Sequence, residues 1–153
     1  MTQSTPVNPL KRPRILLGLG VVFFGVFVFA LGAKPQIFGL DRSAVIGFVQ
    51  IAVFISGLGI ICIGGTLSLA GLWNGSPKSI ASDIGQRLVS TGFVISVACG
   101  MADIFGFGTE IAPQIPTFGI WQTIGVLVGE IVIGIGFLLL IPYQRTIPGP
   151  PGS

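Results

Sequence analysis

One carboxylate stands in the middle of a long apolar segment. Glu130 lies ten residues after Ile120 and eleven before Ile141, near the centre of that segment. An ionised carboxylate at the bilayer centre costs about 2.5–3.5 kcal/mol on insertion scales, so we expect Glu130 to face a helix bundle or an oligomer interface. Three roles follow: a proton- or cation-binding group in a transport path, a protonated hydrogen-bond donor that ties helices together, or a contact with a ligand.

Two more polar residues belong with Glu130. Asp103 falls near the end of the third apolar segment, where it either caps the following turn or joins Glu130 in an acidic cavity. Gln50, early in the second segment, either hydrogen-bonds across helices or faces a cavity. Glu130, Asp103 and Gln50 are therefore the candidate ion, proton or interhelical polar site.

The residue types that the chain lacks exclude several kinds of chemistry. It has no histidine, and its two cysteines, Cys62 and Cys99, form no CxxC pair. Bis-His haem, HExxH zinc and Ser-His hydrolase sites are thereby excluded. We expect no catalytic residues, no metal and no cofactor. The net charge of +3 comes from residues that flank apolar segments, and it indicates no nucleic-acid partner.

The segments that position these residues are typical of a membrane protein. Of 153 residues, 51% are hydrophobic and 8% charged, against roughly 25% charged in soluble domains. A membrane-spanning helix needs about 20 apolar residues. We predict an all-α bundle of four transmembrane helices over residues 15–143, between a disordered basic tail (1–14) and a Pro/Gly-rich tail (144–153). The predicted helices span about 15–32, 44–73, 88–107 and 120–141.

The basic residues indicate the orientation of the bundle, because Lys and Arg concentrate on the cytoplasmic side. With the N-terminus inside, two basic residues lie outside, Lys34 and Arg42, and six lie inside: Lys11, Arg12, Arg14, Lys78, Arg87 and Arg145. We therefore predict that both termini are cytoplasmic. A cleaved signal peptide is the alternative interpretation of the first helix, although its apolar run is longer than the 7–15 residues typical of signal peptides.

Small residues on the third and fourth helices predict close helix packing. Gly92, Ser96 and Gly100 recur at four-residue intervals on the third helix, which we expect to pack against the second or fourth. On the fourth helix, small residues surround the glutamate: Gly125, Gly129 and Gly134.

Two short sequence patterns recur in the second half of the chain and weakly indicate a two-plus-two duplication of a helix hairpin. Chance recurrence is the alternative. Ile37-Phe38-Gly39 returns as Ile104-Phe105-Gly106 after 67 residues, and Gly57-Leu58-Gly59 returns as Gly134-Ile135-Gly136 after 77.

Local signals mark the start of the third helix. Ser82 is the predicted N-cap, and Asp83 and Arg87 have the i, i+4 spacing of a helical ion pair.

These observations predict a small non-enzymatic integral membrane protein, a subunit or self-associating component of a membrane assembly. Its expected partners are the lipid bilayer and other membrane-protein chains or further copies of itself, in a bacterial-type plasma membrane. The alternative is an ion- or proton-coupled transporter or channel component that uses Glu130. A lipid-modifying enzyme ranks third. A water-accessible cavity that reaches Glu130 favours transport, whereas a Glu130 bonded to a neighbouring helix favours a structural role.

Overall fold

The protein is all-helical wherever its structure is described. The computed structural model describes residues 11–39, 48–73, 79–102, 106 and 119–142. Within these ranges the chain forms four α-helices and one 3-10 turn, and no strand. The helices are α1 (Lys11–Ala33), α2 (Phe48–Leu72), α3 (Ile80–Gly100) and α4 (Ile120–Leu140), and the 3-10 turn spans Pro35–Phe38. The all-α prediction is confirmed.

Three of these helices are long and apolar enough to cross a membrane. They span Pro13–Ala33, Phe48–Leu72 and Ile120–Leu140, with mean hydropathies of 2.7, 2.2 and 2.4. The described part of α3 is not among them. Its first two turns are polar, because they carry Asp83, Gln86 and Arg87. The structure thus supports a multi-pass membrane protein with at least three apolar spans.

The helix ends differ from the predicted ranges mainly in α1 and α3. Helix α1 begins four residues before Ile15, so the basic cluster of the predicted tail lies in its first turn. Helix α3 begins at Ile80, eight residues before Leu88. The rest of the predicted N-terminal tail, the C-terminal tail and the predicted end of the third helix at residues 103–105 and 107 lie outside the described residues.

The cap of α3 corrects one local prediction and confirms another. Ser79, not Ser82, is the N-cap, and its hydroxyl accepts a hydrogen bond from the Ser82 backbone nitrogen at 3.2 Å. The prediction of Ser82 as the N-cap was wrong because Ser79, three residues earlier, already caps the free backbone amide of Ser82. Ser82 itself lies buried inside the helix. The predicted pair of Arg87 and Asp83 is present, with Nε and Oδ2 3.2 Å apart on an exposed face.

Helices α1 and α2 form a tightly packed hairpin because glycines recur every seven residues on their facing sides. A Cβ on Gly64 would lie 2.7 Å from the backbone nitrogen of Val22 and 2.9 Å from the carbonyl oxygen of Gly18. A Cβ on Gly25 would lie 2.8 Å from the backbone nitrogen of Ile61. Since only glycine leaves room for such contacts, the two backbones touch directly.

Helices α3 and α4 form a second hairpin with equivalent contacts. A Cβ on Gly136 would lie 2.8 Å from the backbone nitrogen of Val89 and from the carbonyl oxygen of Gly85. Val89 and Gly85 follow Val22 and Gly18 by 67 residues, the offset predicted for the first and third helices. Gly136 follows Gly64 by 72 residues, so the packing register of α2 and α4 is not the predicted offset of 77.

The two hairpins are joined through side chains. Contacts within each hairpin are far more extensive than contacts between α2 and the second hairpin. The side chains that join the hairpins form a small buried core: Leu58, Cys62, Val89, Ile133 and Leu140. The Trp73 indole nitrogen donates to the Leu140 carbonyl oxygen at 3.0 Å. We name the end marked by Trp73 and Leu140 the closed end, and the end marked by Ala33, Gly100 and Ile120 the open end.

Candidate functional site

Glu130 lies on the wall of a cavity between the two hairpins. The side chain is half-buried at the middle of α4. The cavity has a volume of about 400 Å³ and extends from the open end to Glu130. All four helices contribute to its lining: Phe29, Gly32 and Ala33 from α1, Gln50, Ile51 and Phe54 from α2, Gly100 from α3, and Thr123, Val126, Leu127 and Glu130 from α4.

The register of α4 explains why Glu130 faces this space. Thr123, Leu127 and Glu130 follow at intervals of four and three residues, which places them on one helix face. The seven helical steps from Thr123 to Glu130 cover about 10 Å along the axis. Gly129 and Gly136 are turned towards α3, where their backbones contact it. The carboxylate is therefore directed away from that contact and towards the first hairpin.

The polar groups of the cavity make few contacts with each other. The Thr123 hydroxyl donates to the Gly119 carbonyl oxygen at 3.2 Å within its own helix. In the part of the chain that the structure describes, neither the Glu130 carboxylate nor the Gln50 amide makes a hydrogen bond or an ion pair. The interhelical hydrogen bond considered for Glu130 is thus not found among the described residues.

Two aromatic rings complete the wall opposite α4. The rings of Phe29 of α1 and Phe54 of α2 have their centroids 4.5 Å apart and their planes tilted by 37°, and both residues line the cavity. We call the direct backbone contact between the two helices of a hairpin its seam. The positions of both rings follow from the seam of the first hairpin, because the Phe29 backbone packs on Gly57 and the Phe54 backbone on Gly32. The cavity therefore combines one carboxylate with an aromatic, mostly apolar wall.

The structure brings two of the three candidate polar residues together. Gln50 of α2 and Glu130 of α4 line the same cavity, whereas Asp103 lies outside the described residues. Sequence reasoning missed Thr123, Phe54 and Phe29. Heptad spacing from Glu130 marks Thr123, and the i+4 spacing from Gln50 marks Phe54. No local signal marks Phe29, because its place depends on how α1 packs against α2.

The predicted packing residues have different roles. Gly92 and Ser96 of the third-helix stripe pack on α4: a Cβ on Gly92 would lie 2.6 Å from the Gly129 carbonyl oxygen. The Ser96 hydroxyl donates to the Gly92 carbonyl oxygen at 3.0 Å and reaches that of Val126 at 3.4 Å. The other small residues differ in their surroundings: Gly125 faces Cys99, Gly100 lies at the cavity, and Gly134 has no atom within 4 Å of a built Cβ.

Comparisons of this chain with protein-family models, with curated proteins and with solved structures find no match. Function is therefore inferred from the chemistry of the cavity.

Proposed function

We propose that this protein is a small non-enzymatic membrane protein that binds a proton or a cation at Glu130, as a carrier or channel component. The observation that carries the proposal is the cavity of about 400 Å³ that reaches the middle of α4 and exposes the carboxylate there. A carboxylate at that depth is costly unless it pairs with a partner or faces a water-filled space. Here it faces a cavity and bonds to no described residue.

The proposal includes a fourth membrane crossing by α3, with both termini in the cytoplasm. Support comes from the α3–α4 seam, which holds α3 beside an apolar spanning helix from Gly85 to Ser96. The exposed pair of Asp83 and Arg87 lies at the closed end, which the distribution of basic residues assigns to the cytoplasm.

Cysteine labelling tests this topology. In a background that carries Cys62→Ala and Cys99→Ala, single cysteines replace Ser153 and, as the matched control, Thr117. A membrane-impermeant maleimide applied to intact cells should label only the Thr117→Cys variant. Labelling of both positions, or of Ser153→Cys alone, contradicts the proposed orientation.

Flux measurements test the role of Glu130. The full chain is reconstituted into liposomes that contain a pH-sensitive dye, and proton flux and flux coupled to monovalent cations are followed. Glu130→Gln should abolish the pH-dependent flux and leave gel-filtration behaviour unchanged. Asp83→Asn is the matched control, because it makes the same carboxyl-to-amide change on an exposed surface. Equal flux in the Glu130→Gln variant and the parent protein overturns the proposal.

A second candidate function is a component of a membrane assembly, in which other chains or further copies bind this one. Most small residues of α3 and α4 pack inside the chain, but Gly134 faces outwards between exposed Ile131 and Leu138. An outward glycine on an apolar face permits close approach of another helix. Purification in mild detergent should then recover a complex, and Gly134→Leu should release the free chain. A parent protein that elutes alone as a monomer contradicts this second function.

A further inference from the structure

The cavity has the chemistry of a site for an organic cation. Inorganic divalent cations such as Ca²⁺ take six to eight oxygen ligands. The described lining offers only the Glu130 carboxylate, the Gln50 amide and the Thr123 hydroxyl, and the hydroxyl already donates within its helix. The remaining lining residues are apolar. The lining is therefore too poor in oxygen ligands for such a divalent cation, and its apolar character favours a ligand that brings an apolar body as well as a positive charge.

The aromatic pair supplies a surface for such a body. Aromatic faces attract cations within about 6 Å of the ring centroid, and they do so more strongly where water is excluded. Phe29 and Phe54 present two rings to the same space that Glu130 faces. The volume of about 400 Å³ falls within the range of roughly 300–1,000 Å³ that is typical of small-molecule sites.

We infer that this cavity binds an amphipathic organic monocation, with its charge paired to the Glu130 carboxylate and its apolar body against Phe29 and Phe54. The inference rests on the proposed function and names the class of cation. It requires no covalent step. A single carboxylate neutralises one charge, which selects a monocation over a dication.

Proton and ligand compete in this arrangement for one group. The elements packed around Glu130 contribute no other titratable group from the described residues: α1 presents Phe29 and Gly32, α2 presents Gln50 and Phe54, and α3 presents Gly100. Protonation of Glu130 removes the only charge that faces the ligand from these residues. Binding of a permanently charged cation should therefore weaken as the pH falls.

Equilibrium dialysis of the purified full chain tests the inference, with tetraphenylphosphonium as the probe. Its charge does not titrate, and tetraphenylborate has the same shape with the opposite charge. We expect saturable binding of tetraphenylphosphonium at one site per cavity and no saturable binding of tetraphenylborate. Glu130→Gln should lower the affinity at least tenfold, whereas Asp83→Asn should leave it unchanged. Glu130→Asp keeps the carboxylate, so its cation binding should retain the pH dependence. This variant shows whether a loss of binding in Glu130→Gln comes from the missing charge and not from a folding defect.

A second pair of variants tests the aromatic wall. Phe54→Leu should weaken binding about threefold to tenfold because it removes one ring. Phe23→Leu is the matched control, because Phe23 is 80% exposed on α1 and lies outside the cavity. Gel filtration and circular dichroism must show the same folded state in each variant.

The outcomes separate this inference from the proposed function. Tetraphenylphosphonium binding that Glu130→Gln does not change, or that tetraphenylborate matches, overturns the organic-cation site. Absence of binding together with Glu130-dependent proton or inorganic-cation flux also overturns it, but leaves the proposed function intact. If neither binding nor flux depends on Glu130, both the organic-cation site and the proposed function are contradicted.

Discussion

The contact surface inside each hairpin differs from the surface between the hairpins. Inside a hairpin, glycines bring two backbones into direct contact, as at Gly64 with Val22 and at Gly136 with Val89. Between the hairpins, side chains of a small core and one indole hydrogen bond make the connection. At these glycine contacts, the first kind of surface leaves no space between the two helices. The second leaves a space where its core ends, and Glu130 lies there.

Helix α2 shows the physical origin of this difference, because it carries glycines on two faces. Gly57 and Gly64 face the backbone of α1, whereas Gly59 and Gly65 face the rings of Phe93 and Phe137. A glycine opposite a backbone allows close contact of two helices, whereas an aromatic ring holds the helices further apart. The packing between the hairpins is therefore looser than the packing inside each hairpin.

The largest expected effect is a break of the seam inside the second hairpin. A Cβ on Gly129 would lie 2.6 Å from the Gly92 carbonyl oxygen and 2.9 Å from the Ser96 backbone nitrogen. Gly129→Leu should lower the free energy of unfolding by about 3 kcal/mol, because backbone atoms cannot move aside. Thermal unfolding of the monomer in detergent measures the loss. Gly134→Leu, on the same helix with open space around it, should change stability by less than about 0.5 kcal/mol. Similar losses in both variants contradict the tight seam.

A smaller loss is expected from the core between the hairpins. Leu58→Ala should cost about 2 kcal/mol, the lower end of the range for buried leucines, because loosely joined hairpins can move together and fill the gap. The same unfolding measurement applies. A loss near 5 kcal/mol would show that the surface between the hairpins is as rigid as the seams.

The smallest effect is expected at the closed end. Trp73→Phe removes the hydrogen bond to the Leu140 carbonyl oxygen and keeps an aromatic ring. Hydrogen bonds between membrane helices contribute about 0.6 kcal/mol on average, so we expect a loss of that size. Spin labels on α2 and α4 near the closed end should report a broader range of distances in this variant. An unchanged distance distribution means that the hydrogen bond does not restrain the hairpins.

The polar residues of the candidate site were predictable from the sequence, but the aromatic residues of the cavity lining were not. Glu130 and Gln50 stand out in the sequence because polar side chains are costly in lipid. The pairing of Asp83 with Arg87 was also predictable, because it depends only on the spacing along one helix. The places of Phe29 and Phe54 in the cavity were not predictable, since the chain has many phenylalanines and only their tertiary contacts distinguish them. The cap at Ser79 was missed because two serines compete for the same role within four residues.

The sequence by itself determined the helical, apolar character of the chain and the depth of Glu130 in α4, because length, hydropathy and residue spacing are local properties. Only the tertiary structure decided that Gly92 and Ser96 of α3 pack on α4, and that Gln50 and Glu130 share one cavity. The physical reason is the solvent. A helix that is apolar on all sides shows no core face in its sequence, and lipid gives no hydrophobic drive to choose one. Shape complementarity at individual glycines makes that choice, and it exists only once two helices are in contact.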